Sequence, residues 1–149
     1  MPLRVSVRKE SPRRLDLSRF EKAVLRILKK LGWKNAEISI LLTTDRKIQK
    51  IHRDYFKDNT PTDVISFPGS PAGKVFLGDL VISLDTAARE CKAYGNTFSY
   101  ETLFYATHGI LHLMGHEDDT PQKSKRMLKK QAVILKQAGL DKYSLSSHA

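Results

Sequence analysis

The sequence is short of cysteine, of long apolar runs and of acidic residues. Its single cysteine, Cys91, excludes an internal disulfide. No apolar run approaches the length of a membrane-spanning helix, and the first residues lack the apolar segment of a signal peptide. We therefore expect a cytoplasmic protein with no membrane partner.

The shortage of acidic residues leaves the chain strongly basic. It has 26 Lys and Arg against 16 Asp and Glu, which gives a formal net charge of +10 at pH 7. This excess is greater than solubility requires and suits a polyanionic partner, above all a nucleic acid. Basic side chains also solvate helix faces, so charge alone does not decide between the two interpretations.

No internal repeat and no low-complexity tract interrupts the chain. Its 149 residues and 40% apolar content fit an ordinary globular domain with a real core. We therefore predict a single domain over residues 1–149.

Hydrophobic periodicity predicts alternating strands and helices in the first part of the chain. Gly32 follows the first helical pattern at the position of a C-terminal cap. The predicted elements are a strand through Leu3, Val5 and Val7, a helix over 16–31, a strand over 37–42, and a helix capped by Thr43 or Thr44 that carries Ile48, Ile51 and Tyr55 on one face.

The second part of the chain predicts two further strands, over 63–67 and 74–84, and three helices, over 86–94, 99–114 and 121–138. Because only 69–73 separates the two strands, we expect them to be antiparallel neighbours. The prediction is an α+β fold with a mixed four-stranded sheet, one antiparallel strand and about five helices.

A histidine-rich segment, 107–119, holds the chemically informative residues. His108 and His112 are four residues apart, so on a helix both can direct a ring nitrogen at one metal ion. The helix around them is apolar on nearly every side, which predicts a central and largely buried helix. Two buried imidazoles need partners, and a shared metal ion satisfies both.

A third metal ligand is expected just after this helix. Gly115 stands where the helix should end, and a left-handed cap there would turn the chain back toward the histidines. Asp118 then follows six residues after His112 and is the predicted third ligand. His116 is the alternative if the helix continues through Gly115.

Gly109 separates this pattern from that of the zinc proteases. Their pattern, H-E-x-x-H-x-x-G-x-x-H, has a catalytic glutamate where this chain has Gly109, so a protease of that design would lack its general base. Glycine also costs about 1 kcal/mol of helix stability relative to alanine. We therefore expect the close approach of another backbone at Gly109.

Three ordered motifs give the sequence a specific resemblance. They read HGILHLMGHED at 108–118, PTDVISFP at 61–68 and LGDLVIS at 77–83. Together they resemble the YbeY family of bacterial endoribonucleases that mature ribosomal RNA, whose signatures are H-G-x-L-H-L-x-G-Y-D-H, P-T-D-V-L-S-F-P and L-G-D-I-x-I-S. The likeness covers nearly the whole chain.

The resemblance implies one Zn²⁺ ion held by three signature residues and cleavage of ribosomal RNA precursors at the 3′ end of 16S rRNA, during ribosome assembly and quality control. It implies RNA and the ribosomal subunit as partners, with no small-molecule cofactor. His108 and His112 match the first two ligands, whereas the family's third histidine falls on Asp118. Two histidines and a carboxylate also suit iron or another divalent metal.

A second departure from the family lies in the predicted helix before the PTDVISFP motif. The arginine that the family has there falls on Phe56. Arg53, about one turn earlier, is the nearest residue able to replace its charge.

Four other polar residues have two interpretations each. Glu117 can orient a water molecule at the metal or be a solvated loop carboxylate. Asp63 and Ser66 flank a short strand that the resemblance implies beside the metal cleft, yet they also suit a turn and a strand end. Asp79 interrupts an apolar strand, so we expect it to pair with a neighbouring arginine or to support the metal site.

The predicted reaction is hydrolysis of phosphodiester bonds in single-stranded RNA, with a metal that polarises a phosphoryl oxygen or lowers the pKa of a bound water. Basic residues in 4–14, 47–57 and 123–136 would neutralise phosphates. Two alternatives are a zincin-like metallopeptidase, which the spacing favours and Gly109 disfavours, and a non-catalytic ribosome-assembly factor in which the metal only stabilises a loop.

Overall fold

A computed structural model describes residues 3–58, 62–69 and 76–141. These residues form a mixed four-stranded sheet and five helices, which confirms the predicted fold class. The strands are β1 (Leu3–Lys9), β2 (Ala36–Thr43), β3 (Val64–Pro68) and β4 (Phe76–Ser83), and the helices are α1 (Leu17–Lys30), α2 (Asp45–Phe56), α3 (Leu84–Ala93), α4 (Phe98–Leu113) and α5 (Pro121–Gln137).

The strand order in the sheet is β1-β2-β4-β3. Strand β2 pairs in parallel with both β1 and β4, whereas β3 pairs antiparallel with β4, so that Ser66 lies opposite Leu80. The short connection between β3 and β4 leaves no room for a parallel crossover, as the sequence predicted. Strand β3 is therefore the last strand on one side of the sheet.

The main core lies between one face of the sheet and helices α1 and α4. Alternate residues of β2, Ile38, Ile40 and Leu42, are buried in it together with Phe20 of α1 and Ile110 of α4. Helix α4 contacts α1, α3, α5, β3 and β4. This packing holds the histidine-bearing helix against the strands at the β3 side of the sheet.

A smaller apolar cluster joins α2 to the sheet. Ile48 of α2 packs with Ile65 of β3 and Val81 of β4, which have the opposite parity to the strand residues of the main core. Alternate side chains of a strand point to opposite faces, so α2 covers the face of the sheet opposite α4.

Each helix begins at a capping side chain that accepts a hydrogen bond from a backbone N–H of the first turn. The sequence left Thr43 and Thr44 open as the cap of the second helix, and Thr44 is the residue that caps it. Helix α3 begins at Leu84, two residues before its predicted start, because the Ser83 hydroxyl accepts from the backbone N–H of Thr86.

The prediction for Asp79 is wrong, and two other predictions are not tested. Asp79 is exposed and needs no buried partner, because it points to the sheet face that α2 covers only in part, between the buried Gly78 and Leu80. The predicted start of the fourth strand at 74–75 and most of the polar tail from 141 lie outside the described residues. Among the described helices, none combines the length and the apolar composition needed to cross a membrane.

Candidate metal centre

The end of α4 has the geometry of a Schellman cap. Gly115 has a φ of +94°, its N–H donates to the carbonyl of His112, and the N–H of His116 donates to the carbonyl of Leu111, both at 3.0 Å. The predicted termination at Gly115 is therefore observed. The left-handed residue turns the chain back along the helix and returns Asp118 to the side of the two histidines.

Three side chains converge at this turn. The Nε2 atoms of His108 and His112 are 3.0 Å apart, and Oδ2 of Asp118 lies 3.2 Å from the first and 3.4 Å from the second. Ligands bound tetrahedrally at 2.0 to 2.1 Å from a zinc ion are separated by about 3.3 Å. The three atoms therefore have the spacing of three corners of a metal coordination sphere, and the ring nitrogens and the carboxylate suit a divalent ion.

Gln131 of α5 orients the first of these histidines. Its side-chain oxygen lies 2.8 Å from Nδ1 of His108, and its side-chain nitrogen donates to the carbonyl of Phe104 at 3.0 Å. The second bond identifies the amide oxygen as the acceptor for the ring, so Nδ1 of His108 carries hydrogen. Nε2 of a neutral His108 is then left with its lone pair directed at His112 and Asp118.

A cavity of about 560 Å³ opens beside the three side chains, between α2, β3 and α4. His52 and Phe56 line it from α2, and Asp63 and Ser66 line it from the β3 segment. Burial raises the pKa of Asp63, although the neighbouring His108 opposes the shift. Asp63 and Ser66 thus lie beside the predicted metal ligands.

Gly109 allows α4 to pack closely against the sheet. A Cβ at this position would meet Cδ2 of Leu80 at 2.6 Å and Oγ of Ser66 at 3.3 Å. The expectation of another backbone was wrong, because the close neighbours are side chains of β4 and β3. The Ser66 hydroxyl also donates to the carbonyl of Gly109 at 3.2 Å, which links β3 to the turn between the two histidines.

His116 and Glu117 lie away from the cluster of His108, His112 and Asp118. His116 points to Lys130, 3.5 Å from its Nζ atom, and its pKa is lowered by burial and by the charge of Lys130. Glu117 is exposed and pairs with Lys123 at 3.0 Å. These residues line a different cavity, so the end of α4 at Gly115 directs them away from the histidine pair.

Arg53 does not take the place that the sequence considered for it. Its Nε atom lies 3.7 Å from Asp54 on the same helix, and the side chain is not among those that line the cavity. Phe56 occupies that wall instead, so this side of the cavity presents an aromatic ring.

A family model described as Endoribonuclease YbeY matches residues 5–139 of this chain. The chain belongs to that family. An Endoribonuclease YbeY from Anaeromyxobacter dehalogenans is 44% identical over 112 residues, in a match that covers 74% of this chain and 58% of the relative. The chain thus spans less than two thirds of the length of that relative.

Other YbeY relatives match over more of their length. The protein of that name from Syntrophotalea carbinolica is 37% identical, with 85% of this chain and 89% of the relative covered. A solution structure of TM1509 from Thermotoga maritima has a TM-score of 0.63 and 23% identity, and covers 91% of this chain and 88% of that chain. The latter comparison supports the fold.

Gln131 was not among the residues that the sequence predicted for the candidate metal centre. A signal for it exists in α5, where Gln131 falls between the buried Met127 and Leu135 at helical spacing. A polar amide on the apolar side of a helix needs a buried hydrogen-bond partner, and here the partner is the imidazole of His108.

Proposed function

We propose that this chain is a metal-dependent endoribonuclease that hydrolyses phosphodiester bonds in single-stranded RNA. The observation that carries the proposal is the convergence of His108, His112 and Asp118 within 3.4 Å of one another beside an open cavity. The net charge of +10 and relatives named Endoribonuclease YbeY support RNA as the substrate.

We propose ribosomal RNA precursors as the substrate, cleaved near the 3′ end of 16S rRNA on the ribosomal subunit in the cytoplasm. One Zn²⁺ ion fits the two imidazoles and the carboxylate, and another divalent metal such as iron fits the same donors. Three protein ligands leave a coordination position open to solvent or substrate.

When bound, such an ion supplies polarisation of a phosphoryl oxygen and a lower pKa for a water molecule. The side chains of the protein orient the metal ligands and the reacting groups. Gln131 holds the Nδ1 proton of His108 and thereby keeps its Nε2 lone pair available. The carboxylate of Asp118 would offset part of the positive charge of the ion. Asp63 also lines the cavity, and we assign it the task of orienting or deprotonating the attacking water.

The decisive experiment removes both imidazoles. We expect a His108→Ala, His112→Ala double variant to retain its fold, contain no bound metal by elemental analysis, and lose cleavage of a single-stranded RNA oligomer. The matched control is His116→Ala, which removes a histidine of the same segment that faces Lys130. It should keep metal and activity.

Assays of the unmodified protein with RNA and with unfolded protein separate the two alternative functions. Metal-dependent degradation of unfolded protein without cleavage of RNA would favour the peptidase. Metal and RNA binding without turnover would favour the non-catalytic assembly factor. Cleavage by the double variant, purified free of other nucleases, would contradict the assigned site.

A further inference from the structure

Three aromatic rings cluster at the C-terminal end of α2 and the adjacent part of β3. This aromatic cluster consists of Tyr55, Phe56 and Phe67. The ring of Phe67 lies 5.5 Å from that of Tyr55 in an edge-on arrangement and 5.7 Å from that of Phe56. Tyr55 is nevertheless 72% exposed, and Phe56, whose ring also lies 5.6 Å from that of His52, is 50% exposed, so part of each ring remains accessible to solvent.

The aromatic cluster connects the metal cavity to a groove on the sheet. Phe56 lines the 560 Å³ cavity that contains His108 and His112. Tyr55 and Phe67 line a separate groove of about 780 Å³ on the sheet face that α2 covers only in part. A ligand that leaves the metal centre past the edge of β3 would therefore cross these rings before it enters the groove.

The charges along this route favour a polyanion. Among the described residues, the groove is lined by the cations Arg8 and Lys47, the hydroxyls of Ser6 and Ser39, and the carboxylate of Asp79. Arg8 lies 4.0 Å from Glu10, at the limit of a salt bridge, and its side chain is 74% exposed. In contrast, the cavity on the other side of His108, about 690 Å³ in volume, is lined by Asp63, Glu90 and Glu101, and the arginine among its described lining residues, Arg89, is paired with Asp45. A phosphate backbone is therefore accommodated better on the aromatic side.

Exposed aromatic rings beside cations are the usual means of binding single-stranded nucleic acids. The bases stack on the rings with little dependence on sequence, and the cations neutralise the phosphates. We propose that the aromatic cluster stacks a base of single-stranded RNA next to the phosphate held at the metal centre, and that the groove receives the strand beyond it. This inference rests on the proposed function and names the subsite that holds the bases flanking the cleaved bond.

The first test replaces the exposed rings. Affinity for a short unstructured oligoribonucleotide with non-hydrolysable linkages is measured by fluorescence anisotropy on the metal-loaded protein, so that the phosphate contact at the metal centre is kept and the RNA stays intact. We expect Phe56→Ala to weaken binding by about 5- to 150-fold, as loss of one stacked base would. Phe56→Trp should preserve binding, whereas Phe56→Leu, which keeps apolar volume without the aromatic face, should not.

The control is Tyr94→Ala. Tyr94 is 70% exposed, like Tyr55, but lines the cavity that contains Glu90 and Glu101. The Tyr94→Ala variant should bind the oligomer as the unmodified protein does, whereas the Tyr55→Ala variant should bind more weakly. Equal losses in Tyr94→Ala and Tyr55→Ala, or no loss in Phe56→Ala, would overturn the proposal.

The second test removes bases from the RNA. Replacing successive bases of the oligomer by abasic nucleotides should reveal a position at which the unmodified protein loses affinity and Phe56→Ala loses no more. This non-additivity identifies the base that contacts the ring. If both proteins respond equally at every position, the stacking assignment is wrong.

Salt dependence separates stacking from electrostatics. Phe56→Ala should leave the slope of log affinity against log salt unchanged, whereas Lys47→Ala should reduce it by about 1. If the unmodified protein neither binds nor cleaves RNA, the proposed function fails. If it does both and the aromatic variants match it, only the stacking subsite fails.

Discussion

Gln131 and His108 are linked across two helices by a hydrogen bond of 2.8 Å between the amide oxygen and Nδ1. The amide nitrogen is bound at the same time to the carbonyl of Phe104, so the amide cannot reverse its orientation without losing both bonds. Helix α5 thereby fixes the tautomer of a histidine on α4. Gln131 thus determines which ring nitrogen of His108 is available to the proposed metal ion.

We expect Gln131→Leu to lower metal affinity by about 10- to 100-fold, because the imidazole loses the acceptor that orients it. Affinity is measured by competition with a chromophoric chelator, with circular dichroism to verify the fold. Gln137→Leu, at an exposed position of the same helix, is the matched control. Unchanged metal affinity in Gln131→Leu would show that the hydrogen bond has no influence on the site.

Asp118→His is expected to keep the metal and to shift the pH dependence of RNA cleavage to lower pH. The carboxylate offsets part of the charge of the ion, whereas a neutral imidazole does not, so a water at the ion becomes more acidic in the variant. Rate–pH profiles of the two proteins, each with measured metal content, test this. A profile that stays in place or moves to higher pH would refute the assigned role of the carboxylate.

Gly109→Ala tests the close packing of α4 on the sheet. Alanine improves helix propensity by about 1 kcal/mol, but its methyl group would meet Leu80, which is fully buried and cannot withdraw. Overpacking of a core costs about 1–3 kcal/mol, so we expect a net loss of roughly 1 kcal/mol in the free energy of unfolding.

The control for this prediction is the same substitution in a protein that lacks the Leu80 side chain. In a Leu80→Ala background the obstructing methyl groups are gone, and Gly109→Ala should then stabilise the protein by up to about 1 kcal/mol. Urea denaturation of the four proteins gives the coupling between the two positions. An identical effect of Gly109→Ala in both backgrounds would mean that Leu80 is not the obstacle.

Asp45 and Asp85 make the free energy of unfolding depend on pH in the acidic range. Burial alone would raise the pKa of Asp45, but hydrogen bonds from Ser83, Arg89 and Thr86 together lower it. The pKa of Asp85 is lowered by the backbone N–H of Asp45 and by Arg13. Since both folded-state values lie below the unfolded ones, the stabilisation is complete above the ordinary carboxylate pKa and is lost as the pH falls through the lowered values.

We therefore expect Asp45→Asn to lower the free energy of unfolding at pH 7 by about 1–2 kcal/mol, because charge-assisted hydrogen bonds are lost from a partly exposed site. The deficit should shrink on acidification, since the carboxylate of the unmodified protein is then protonated. Urea denaturation between neutral and acidic pH measures both effects. Asp54→Asn, at an exposed position of the same helix, should show neither.

Local patterns in the sequence predicted a large part of the fold. The helical spacing of His108 and His112 and the glycine at 115 depend only on contacts within one or two turns, so the helix, its termination and the return of Asp118 were all foreseeable. The antiparallel pairing of β3 with β4 followed from the shortness of their connection.

Features that depend on distant contacts were not foreseeable in the same way. The order β1-β2-β4-β3 depends on which strands bury which faces, and no local pattern specifies it. The partner of His108 lies on another helix, at Gln131. Asp79 was assigned a buried environment because the sequence does not reveal that α2 leaves part of the sheet uncovered.

The Schellman turn at Gly115 also bears on how the protein reaches its native state. His108, His112 and Asp118 all lie within residues 108–118, so little chain entropy is lost when they meet. The parallel pairs β1–β2 and β2–β4, by contrast, bring Leu3 opposite Ala36 and Glu37 opposite Phe76, and such long closures form slowly. We therefore expect the ion-binding turn to be competent early in refolding, ahead of the completed sheet.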